Sequence, residues 1–499
     1  MSTIRKTSGL EALASRLEHD LACLGLPAKG WMPPPQHVAI TPDTAPSEVL
    51  DVAIIGAGQG GLAVALALRH LGIQATLFDR APAGREGPWA TTARMETLRS
   101  PKELTGPALG LPALTFRAWY EAQFGAEAWA ALDKIPRLQW MDYLRWYREV
   151  NDITVHNDVE LRGIAPRSDA TVDLQLHDAG TARTVRARRV VLATGRDGLG
   201  GPAVPRFVRD LPRGLPPVGL WAHSSDPGDF AGLVGRRVVV IGAGSSAMDV
   251  AGTALEAGAL SVDLLIRRAD LPRINKGKGA SAPGLVHGHH GLPDATRWAL
   301  RHYINASQVP PPQGSTLRVS RHANAHFHFG CPVQAVQRHG DRLAIDTPRG
   351  RFHADFVFVA TGFAIDWAQR PELTAIAPHI RTWRSRYTPP AGSEDAELSD
   401  SPDLGPLFEF QPRTPGACPG LDRIHGFNYP AALSHGTVSG DIPAISDGAR
   451  RLAQGLAAAF YREDIDFHIE RLHAYDDPEL LGTEWQPADT AAVLAARGD

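Results

Sequence analysis

The order of apolar and polar positions predicts two separate strand–helix–strand units. In the first, an apolar strand begins at Val49, a glycine turn and an alanine-rich helix over 62–71 follow, and a second strand covers 75–79. The second unit has the same order: a strand over 238–241, a glycine turn, a helix over 246–257 and a strand over 261–266. A βαβ unit with a glycine turn is typical of a dinucleotide site, so the sequence predicts two such sites.

The first glycine turn follows the pattern GxGxxG. Gly56 makes the turn, Gly58 lets a pyrophosphate approach, and Gly61 lets the helix pack close to the strand. Asp79 stands 23 residues after Gly56, where a carboxylate accepts hydrogen bonds from the adenosine ribose, and Arg80 follows it. We predict FAD here, because the N-terminal site holds FAD in flavoproteins that bind two dinucleotides.

The second glycine turn lacks the acidic residue that would bind a ribose. Its predicted contacts are Gly242, Gly244, Ser245 and Ser246. At the end of the second strand, 25 residues after Gly242, stand Arg267 and Arg268. An acidic group would repel a 2′-phosphate, whereas guanidinium groups bind it. The sequence therefore predicts NADPH rather than NADH; the alternative is that both arginines only solvate a strand end.

A three-residue motif, Ala-Thr-Gly, occurs twice. It follows the apolar strand 190–192 and again the apolar strand 356–359. Small residues at these positions let the backbone meet a ligand, so we predict cofactor contacts at Thr194, Gly195, Thr361 and Gly362. An ordinary exit from a strand into a turn would explain either copy alone.

These patterns predict an α/β fold with two Rossmann-like dinucleotide-binding domains, the NADPH domain being inserted into a discontinuous FAD domain. Leucines at helical spacing from Leu10 to Leu24 predict an N-terminal helix, and prolines such as Pro33 and Pro42 predict an extended linker after it. Aromatic helices are expected over 119–147 and short antiparallel strands over 153–192. The predicted boundaries are 1–47 for the helix and linker, 48–214 and 345–450 for the FAD domain, 215–344 for the NADPH domain with a substrate-bordering insertion, and 451–499 for a helical tail.

Composition excludes several classes of partner and site. The chain of 499 residues carries a net charge of -3, so no global field attracts nucleic acid or an anionic membrane. Three cysteines without a CxxC pair indicate no disulfide framework and no dithiol redox centre. Histidine clusters at 287–290 and 322–328 lack an accompanying set of cysteines or carboxylates, so no metal is predicted. With no export signal or membrane span in the pattern, a cytoplasmic location is expected, and a homo-oligomer stays open.

From about Val49 to Gly448 the chain resembles the class B flavin-dependent monooxygenases. That group contains the flavin-containing, N-hydroxylating and Baeyer–Villiger enzymes, and the similarity is greatest to CzcO-like flavoproteins. The resemblance rests on both glycine turns, on Gly87-Pro88-Trp89, on the aromatic run 136–147, and on Gly219 and His223 ahead of the second turn. Only Gly219 and His223 match the family signature FxGxxxHxxxF, which weakens the Baeyer–Villiger assignment most.

The resemblance implies an NADPH-dependent flavin monooxygenase: NADPH reduces FAD, the reduced flavin captures molecular oxygen as a C4a-(hydro)peroxyflavin, and a small-molecule substrate is oxygenated. It implies that Trp89 shapes the flavin pocket, that His223 and Arg267 serve the NADPH side, and that Asp441 presents a helix N-terminus to the flavin. Arg99 stands where family members have asparagine and would meet the substrate.

Cations in the inserted region, Arg273 and Lys276, add to Arg99. A small carboxylate-bearing substrate is therefore expected, and N-hydroxylation of an amine or amino acid is favoured. A solvated basic face is the alternative for any one of these cations. An NADPH-dependent flavin oxidase or reductase without oxygen insertion, a Baeyer–Villiger monooxygenase, and a nucleotide sensor without enzymatic activity remain as other functions.

Overall fold

The computed structural model describes residues 8–39 and 46–498. Its contacts divide the chain into two units, Met1–Ala457 and Ala458–Asp499. Both predicted dinucleotide units lie in the first of these.

The described part of the chain contains both β-strands and α-helices. The strands are β1 (His37–Val38), β2 (Ser47–Glu48), β3 (Leu50–Ile55), β4 (Ala75–Phe78), β5 (Val155–His156), β6 (Val159–Pro166), β7 (Val172–Asp178), β8 (Thr181–Leu192), β9 (Gly200–Pro202), β10 (Trp221–His223), β11 (Arg237–Ile241), β12 (Ser261–Ile266), β13 (Ala325–Phe329), β14 (Ala335–His339), β15 (Arg342–Thr347), β16 (Gly350–Ala354), β17 (Phe356–Val359), β18 (Phe363–Ile365) and β19 (Ile424–His425). The α-helices are α1 (Ser8–Cys23), α2 (Gln59–His70), α3 (Phe116–Ala131), α4 (Arg137–Val150), α5 (Ser245–Glu256), α6 (Lys276–Gly279), α7 (Pro283–Gly288), α8 (Asp294–Ser307), α9 (Gln313–Ser320), α10 (Trp383–Arg386), α11 (Ala396–Asp400), α12 (Ala432–His435), α13 (Ile445–Glu463), α14 (Ile465–His473) and α15 (Thr490–Arg497).

The first sheet has the strand order β5-β4-β3-β8-β7-β6, and β19 pairs with β8. The strands β3, β4 and β5 pair in parallel, as do β3 and β8, whereas β6, β7 and the first half of β8 pair antiparallel. The helix α2 packs close to this sheet because its side chains are small: every residue from Gly61 to Leu68 is buried. The predicted first βαβ unit and the predicted antiparallel strands are therefore confirmed.

The second sheet is wholly parallel, with the order β10-β17-β11-β12-β13. Its three middle strands are mainly apolar and most of their residues are buried, as expected of a sheet covered on both faces. In the sequence, strands of the first sheet come both before and after the second sheet, because β19 pairs with β8. This topology agrees with the predicted fold class, in which one Rossmann-like domain is inserted into another.

The strand over 356–359 needs a correction. The predicted boundaries place it in the FAD domain, but β17 pairs in parallel with β10 and β11 and thus belongs to the second sheet. The reason is physical: a short, wholly apolar strand fits the centre of either parallel sheet, so its composition does not choose between them. The domain boundaries otherwise stay a prediction.

The N-terminal helix α1 packs on the body of the chain. The Cα of Gly9 comes so close to α3 that an added Cβ would lie 1.8 Å from the carbonyl oxygen of Ala122. The linker after α1 lacks regular structure up to Gln36, and β1 then pairs antiparallel with β2. Pro42 lies outside the described residues.

The second unit contains the end of α13 together with α14 and α15. Its residues form the greater part of the predicted helical tail. Across the described residues, no helix is both long enough and apolar enough to cross a membrane.

Candidate functional site

The two glycine turns have the same relation to the two Ala-Thr-Gly motifs. Gly56 has φ +100°, and a Cβ added to it would lie 2.5 Å from the carbonyl oxygen of Ala193. Gly242 has φ +137°, and its added Cβ would lie 2.4 Å from the carbonyl oxygen of Ala360. Only glycine fits at both positions. Each turn is thus packed against the motif that ends the neighbouring strand, so the structure joins the patterns that the sequence showed separately.

Gly58 and Gly244 leave room above the N-termini of α2 and α5. Gly61 does not, since its added Cβ would lie 1.9 Å from the carbonyl oxygen of Gly56. By contrast, a Cβ at Gly58 would meet nothing closer than Cα of Gly87 at 3.9 Å, and one at Gly244 would meet nothing within 4 Å. Gly58 and Gly244 are the N-cap residues of α2 and α5, and glycine has no side chain that could bond to the first backbone N–H groups of the helix. These N–H groups therefore remain available to an anion. This geometry fits a pyrophosphate at each turn.

Asp79 stabilises the first turn. Its carboxylate accepts hydrogen bonds from the backbone N–H of Ala57 at 2.7 Å and of Ala81 at 2.8 Å. Burial raises the pKa of this carboxyl, and the two backbone hydrogen bonds oppose that rise. Arg80, which follows it, is exposed.

The segment with Trp89 lies beside the first turn, because Gly87 approaches Gly58. Arg137, at the start of α4, donates a hydrogen bond to the carbonyl oxygen of Trp89 and another to that of Met95 at 2.9 Å. The Trp89 side chain is half-buried. The aromatic helix α4 therefore holds this segment against the glycine turn.

His223 is a buried residue at the end of β10. Its Nε2 donates to the carbonyl oxygen of Gly362 at 3.0 Å, and its Nδ1 lies 2.7 Å from Oγ of Ser225. Burial lowers the pKa of the imidazole, and the charge of Asp226 opposes this. Both ring nitrogens of His223 have partners within the protein, so His223 stabilises the second Ala-Thr-Gly motif through the carbonyl of Gly362. Thr361 of that motif donates to the carbonyl oxygen of Ala203.

The first Ala-Thr-Gly motif has partners that the sequence analysis missed. The side chain of Asn428 donates to Oγ1 of Thr194 at 3.3 Å, and the backbone N–H of Tyr429 donates to the carbonyl oxygen of Gly195 at 3.1 Å. The guanidinium of Arg196 stacks on the ring of Tyr429 at 3.6 Å. The strand before Asn428 is only two residues long, so the sequence pattern gave no indication of this contact. Arg196 could have been predicted as a site residue, because it follows the motif directly.

The predicted substrate residue Arg99 contacts the second glycine turn. Its guanidinium donates to Oγ of Ser245 at 3.3 Å and to the carbonyl oxygen of Pro310. The neighbour of Ser245 in the turn, Ser246, is exposed. Burial lowers the pKa of the Arg99 guanidinium, and the charge of Asp441 opposes this.

The two other predicted substrate cations have separate partners. Arg273 is exposed and pairs with Asp270 at 2.7 Å, and Lys276 lies 5.7 Å from the ring of Tyr303. Neither of these contacts involves Arg99.

Arg267 and Arg268 follow β12 directly. The Arg267 side chain is exposed, the Arg268 side chain is half-buried, and neither guanidinium makes a hydrogen bond or ion pair within the described part of the chain. Both are therefore available to a phosphate, as the prediction of NADPH requires.

Asp441 lies shortly before α13. Its side chain is accessible, yet enough protein surrounds it that desolvation raises the pKa of its carboxyl. The positive charges of Arg301, Arg196 and Arg99 oppose that rise. An accessible but desolvated carboxyl is expected of a residue on the wall of a cofactor or substrate pocket.

The histidine clusters are bonded within the protein. His289 Nε2 lies 3.1 Å from the carbonyl oxygen of Leu433, and His328 Nε2 lies 2.8 Å from Oδ1 of Asp263. No group of three or more potential metal ligands was found within residues 8–39 and 46–498.

Comparison with known proteins identifies the family. Residues 50–282 match the family described as pyridine nucleotide-disulphide oxidoreductase. The chain is 38% identical over 484 residues to the FAD-dependent urate hydroxylase of Xanthomonas campestris pv. campestris, covering 97% of this chain and 100% of that protein. The chain belongs to the class B flavin-dependent monooxygenases.

Solved structures of N-hydroxylating enzymes share the fold. The ornithine hydroxylase of Pseudomonas aeruginosa matches with a TM-score of 0.63 at 16% identity, covering 82% of this chain and 99% of that chain. The ornithine N-hydroxylase of Kutzneria sp. 744, solved with reduced FAD, NADP+ and L-ornithine, matches with a TM-score of 0.62 at 17% identity and the same coverage. The predicted fold class and the prediction of an FAD-dependent monooxygenase are confirmed, and this assignment is favoured over an oxidase or reductase.

Proposed function

We propose that this monooxygenase is an NADPH-consuming hydroxylase of a small anionic substrate, and that urate is that substrate. The observation that carries the proposal is the 38% identity to a urate hydroxylase over 97% of this chain, which includes the inserted region beside the predicted substrate pocket. In the overall reaction, NADPH supplies two electrons, one atom of O2 forms a bond to the substrate, and the other leaves as water.

FAD would be held by the first glycine turn. The N-terminus of α2 above Gly58 would bind its pyrophosphate, Asp79 would fix the turn and meet the ribose, and Trp89 would border the ring system. Thr194 and Gly195 would line the other side of the site, with Asp441 at the flavin end. This assignment is supported by the space at Gly58 and by the Gly56–Ala193 contact.

NADPH would be held by the second glycine turn in the same manner. Gly242 and Gly244 would admit the pyrophosphate, Ser245 and Ser246 would donate to it, and Arg267 and Arg268 would bind the 2′-phosphate. His223 is a positioning residue: it holds the carbonyl of Gly362, and through it the turn with Thr361. We assign 48–214 and 360–450 to the FAD domain and 215–359 to the NADPH domain.

The protein groups orient the reactants. FAD, when bound, supplies the electron transfer and oxygen activation that no side chain provides. Arg99 links the FAD-side loop to Ser245, so its guanidinium lies at the second glycine turn. Urate carries a negative charge at neutral pH, and a guanidinium stabilises such a charge where water is excluded.

N-hydroxylation of an amino acid is the second candidate. Two observations favour it: the fold is that of ornithine hydroxylases, and Arg99 would suit a carboxylate. Urate is the stronger proposal because the relative that acts on it shares sequence along its entire length.

Turnover by the purified FAD-loaded enzyme distinguishes the two. NADPH oxidation would be followed with urate, L-ornithine and L-lysine, with product identified by mass spectrometry and peroxide measured in parallel. We expect urate alone to give a product 16 mass units heavier, or its hydrolysis product. A hydroxylamine product from an amino acid, with urate unchanged, would overturn the first proposal in favour of the second.

A further inference from the structure

The segment 89–99, here called the connecting loop, runs between the two glycine turns. Its start lies beside the first turn, and Arg99 at its end contacts the second. Midway along the loop, Arg94 donates from Nη2 to the carbonyl oxygens of Asp226 at 2.8 Å and of Gly228 at 3.2 Å, between β10 and β11. The loop is therefore bonded, at its middle and at its end, to the part of the chain that forms the second sheet.

A buried arginine of α9, Arg318, binds the backbone of the same loop. Its Nη1 donates to the carbonyl oxygen of Arg94 at 2.9 Å. The other donors bind α5: Nε and Nη2 donate to the two carboxylate oxygens of Glu256 at 2.8 and 2.5 Å, and Nη2 also donates to Oγ1 of Thr253 at 3.2 Å. Only 7% of Arg318 is exposed. This side chain thus joins the connecting loop to the helix that follows the second glycine turn.

The surface of α5 has a gap that accepts this side chain. Gly252 lies one helical turn before Glu256, and a Cβ added to Gly252 would lie 2.9 Å from Cδ of Arg318. Glycine inside a helix is less favourable than alanine, so its presence needs a reason in the tertiary packing. The passage of the Arg318 side chain is that reason, because a larger residue would displace it.

The geometry of a guanidinium gives the contact with the loop a fixed direction. Its N–H donors lie in one plane, and the two-pronged bond to Glu256 fixes that plane relative to α5. The direction of the remaining Nη1 donor is then fixed as well, and so is the place of the Arg94 carbonyl that accepts from it. An ion pair that only joined α9 to α5 would not require this last bond.

We propose that Arg318 is a positioning residue for the reduction of FAD by NADPH, because it fixes the connecting loop, and with it the first glycine turn, relative to α5. In this step a hydride with its two electrons passes from nicotinamide to flavin, and water supplies one proton. Misplacement of the two rings by about 1 Å can cost on the order of 100-fold in rate. Arg318 acts through the backbone of Arg94. The inference rests on the proposed function for the hydride donor but not for the substrate.

Arg318→Gln, Arg318→Lys and Gly252→Ala would be compared with the wild type as FAD-loaded proteins, with Arg321→Gln as the matched control. Arg321 is exposed and shares the Glu256 carboxylate at 2.9 Å, so its removal tests the loss of an ion pair with Glu256. Anaerobic stopped-flow mixing with a series of NADPH concentrations, without substrate, gives both the Kd and the limiting rate of flavin reduction. Dithionite serves as a second reductant, and hydrogen exchange of the segment 94–99 is measured without nucleotide.

We expect Arg318→Gln to lower the limiting rate about 10- to 100-fold and Arg318→Lys to lower it less, while the Kd for NADPH changes by less than about threefold. Reduction by dithionite should not change, and the segment 94–99 should exchange faster. Gly252→Ala keeps every charge and favours the helix, yet it displaces the Arg318 side chain, so it should also slow reduction by NADPH. Arg321→Gln should change neither the rate nor the exchange.

Two outcomes would overturn the inference and leave the proposed function intact. The first is an unchanged limiting rate in both Arg318 variants, even if they exchange faster at 94–99. The second is an equal loss of rate in Arg321→Gln, which would show that only the stability of the ion pair matters. Failure of NADPH to reduce the wild type would overturn the proposed function together with this inference.

Discussion

The guanidinium of Arg99 donates a hydrogen bond to Oγ of Ser245 at 3.3 Å. Ser245 is the first residue of α5, directly after the second glycine turn, and Arg99 belongs to the loop that follows the first βαβ unit. The residue that the sequence assigned to the substrate is thus bound to the turn assigned to NADPH. Any change at Arg99 should therefore affect nucleotide binding as well as substrate binding.

Arg99→Gln should raise the KM for NADPH and for NADH to the same extent, by about tenfold, because a hydrogen bond from a charged group contributes ~1.5 kcal/mol. The contact lies at the turn, which both nucleotides use, and not at the ribose phosphate. Steady-state kinetics with each nucleotide at saturating oxygen measures this. Unchanged KM values for both nucleotides would show that the Ser245 contact does not support the turn.

Arg267→Gln and Arg268→Gln should act on NADPH alone. Without a guanidinium for the 2′-phosphate, the KM for NADPH should rise about 10- to 100-fold, and the KM for NADH serves as the internal control. The ratio of kcat/KM for the two nucleotides is the quantity to measure. If neither variant lowers the preference for NADPH, these arginines only solvate the end of β12.

The glycines of the second turn should separate folding from binding. Gly242→Ala places a Cβ 2.4 Å from the carbonyl oxygen of Ala360 at a φ of +137°, and it should lower the thermal midpoint of unfolding. Gly244→Ala meets nothing within 4 Å, so the midpoint should change little while nucleotide binding weakens by at least tenfold. Thermal unfolding and NADPH titration of both variants provide the comparison. Tight NADPH binding by Gly244→Ala would rule out a pyrophosphate at this position.

Asp249, on α5, should make stability depend on pH. It is buried, and desolvation raises the pKa of its carboxyl to about 6, against the hydrogen bond from Ser315 and the charge of Arg318. A carboxyl whose pKa is higher in the folded state binds a proton more tightly there, so it stabilises the protein at low pH and loses that contribution as the pH rises through about 6.

Asp249→Asn removes this titration. The free energy of unfolding of the variant, minus that of the wild type, should increase by about 1.5 kcal/mol between pH 5 and pH 8, because one pKa unit corresponds to ~1.4 kcal/mol. Urea titrations at both pH values give this difference. A difference that is constant or falls as the pH rises would contradict a raised pKa at Asp249.

The sequence located the nucleotide-binding units closely. The helix predicted over 62–71 is α2 (Gln59–His70), and the strand predicted over 261–266 is β12. Strong periodicity, glycine turns and small side chains all act within about thirty residues, so local rules are sufficient there. These rules could not predict the pairing of β17, because four apolar residues fit either sheet equally well. Which sheet the strand joins depends on tertiary contacts.

The candidate site shows the same limit. Glycines and the Ala-Thr-Gly motifs could be predicted because their roles depend on the local backbone. The partners of these motifs could not, because Asn428 and Tyr429 are more than two hundred residues away from Thr194 in the chain. Likewise, Arg273 was predicted at the substrate from its charge and region, whereas the structure shows its side chain exposed and paired with Asp270.

Turnover under 18O2 tests the proposed function most directly. Purified FAD-loaded enzyme would be mixed with urate and NADPH under 18O2, and product, NADP+ and peroxide would be quantified together. We expect one 18O atom in each product molecule, one NADPH consumed for each product formed, and little peroxide. Consumption of NADPH with an equal amount of peroxide and no labelled product would contradict a urate hydroxylase.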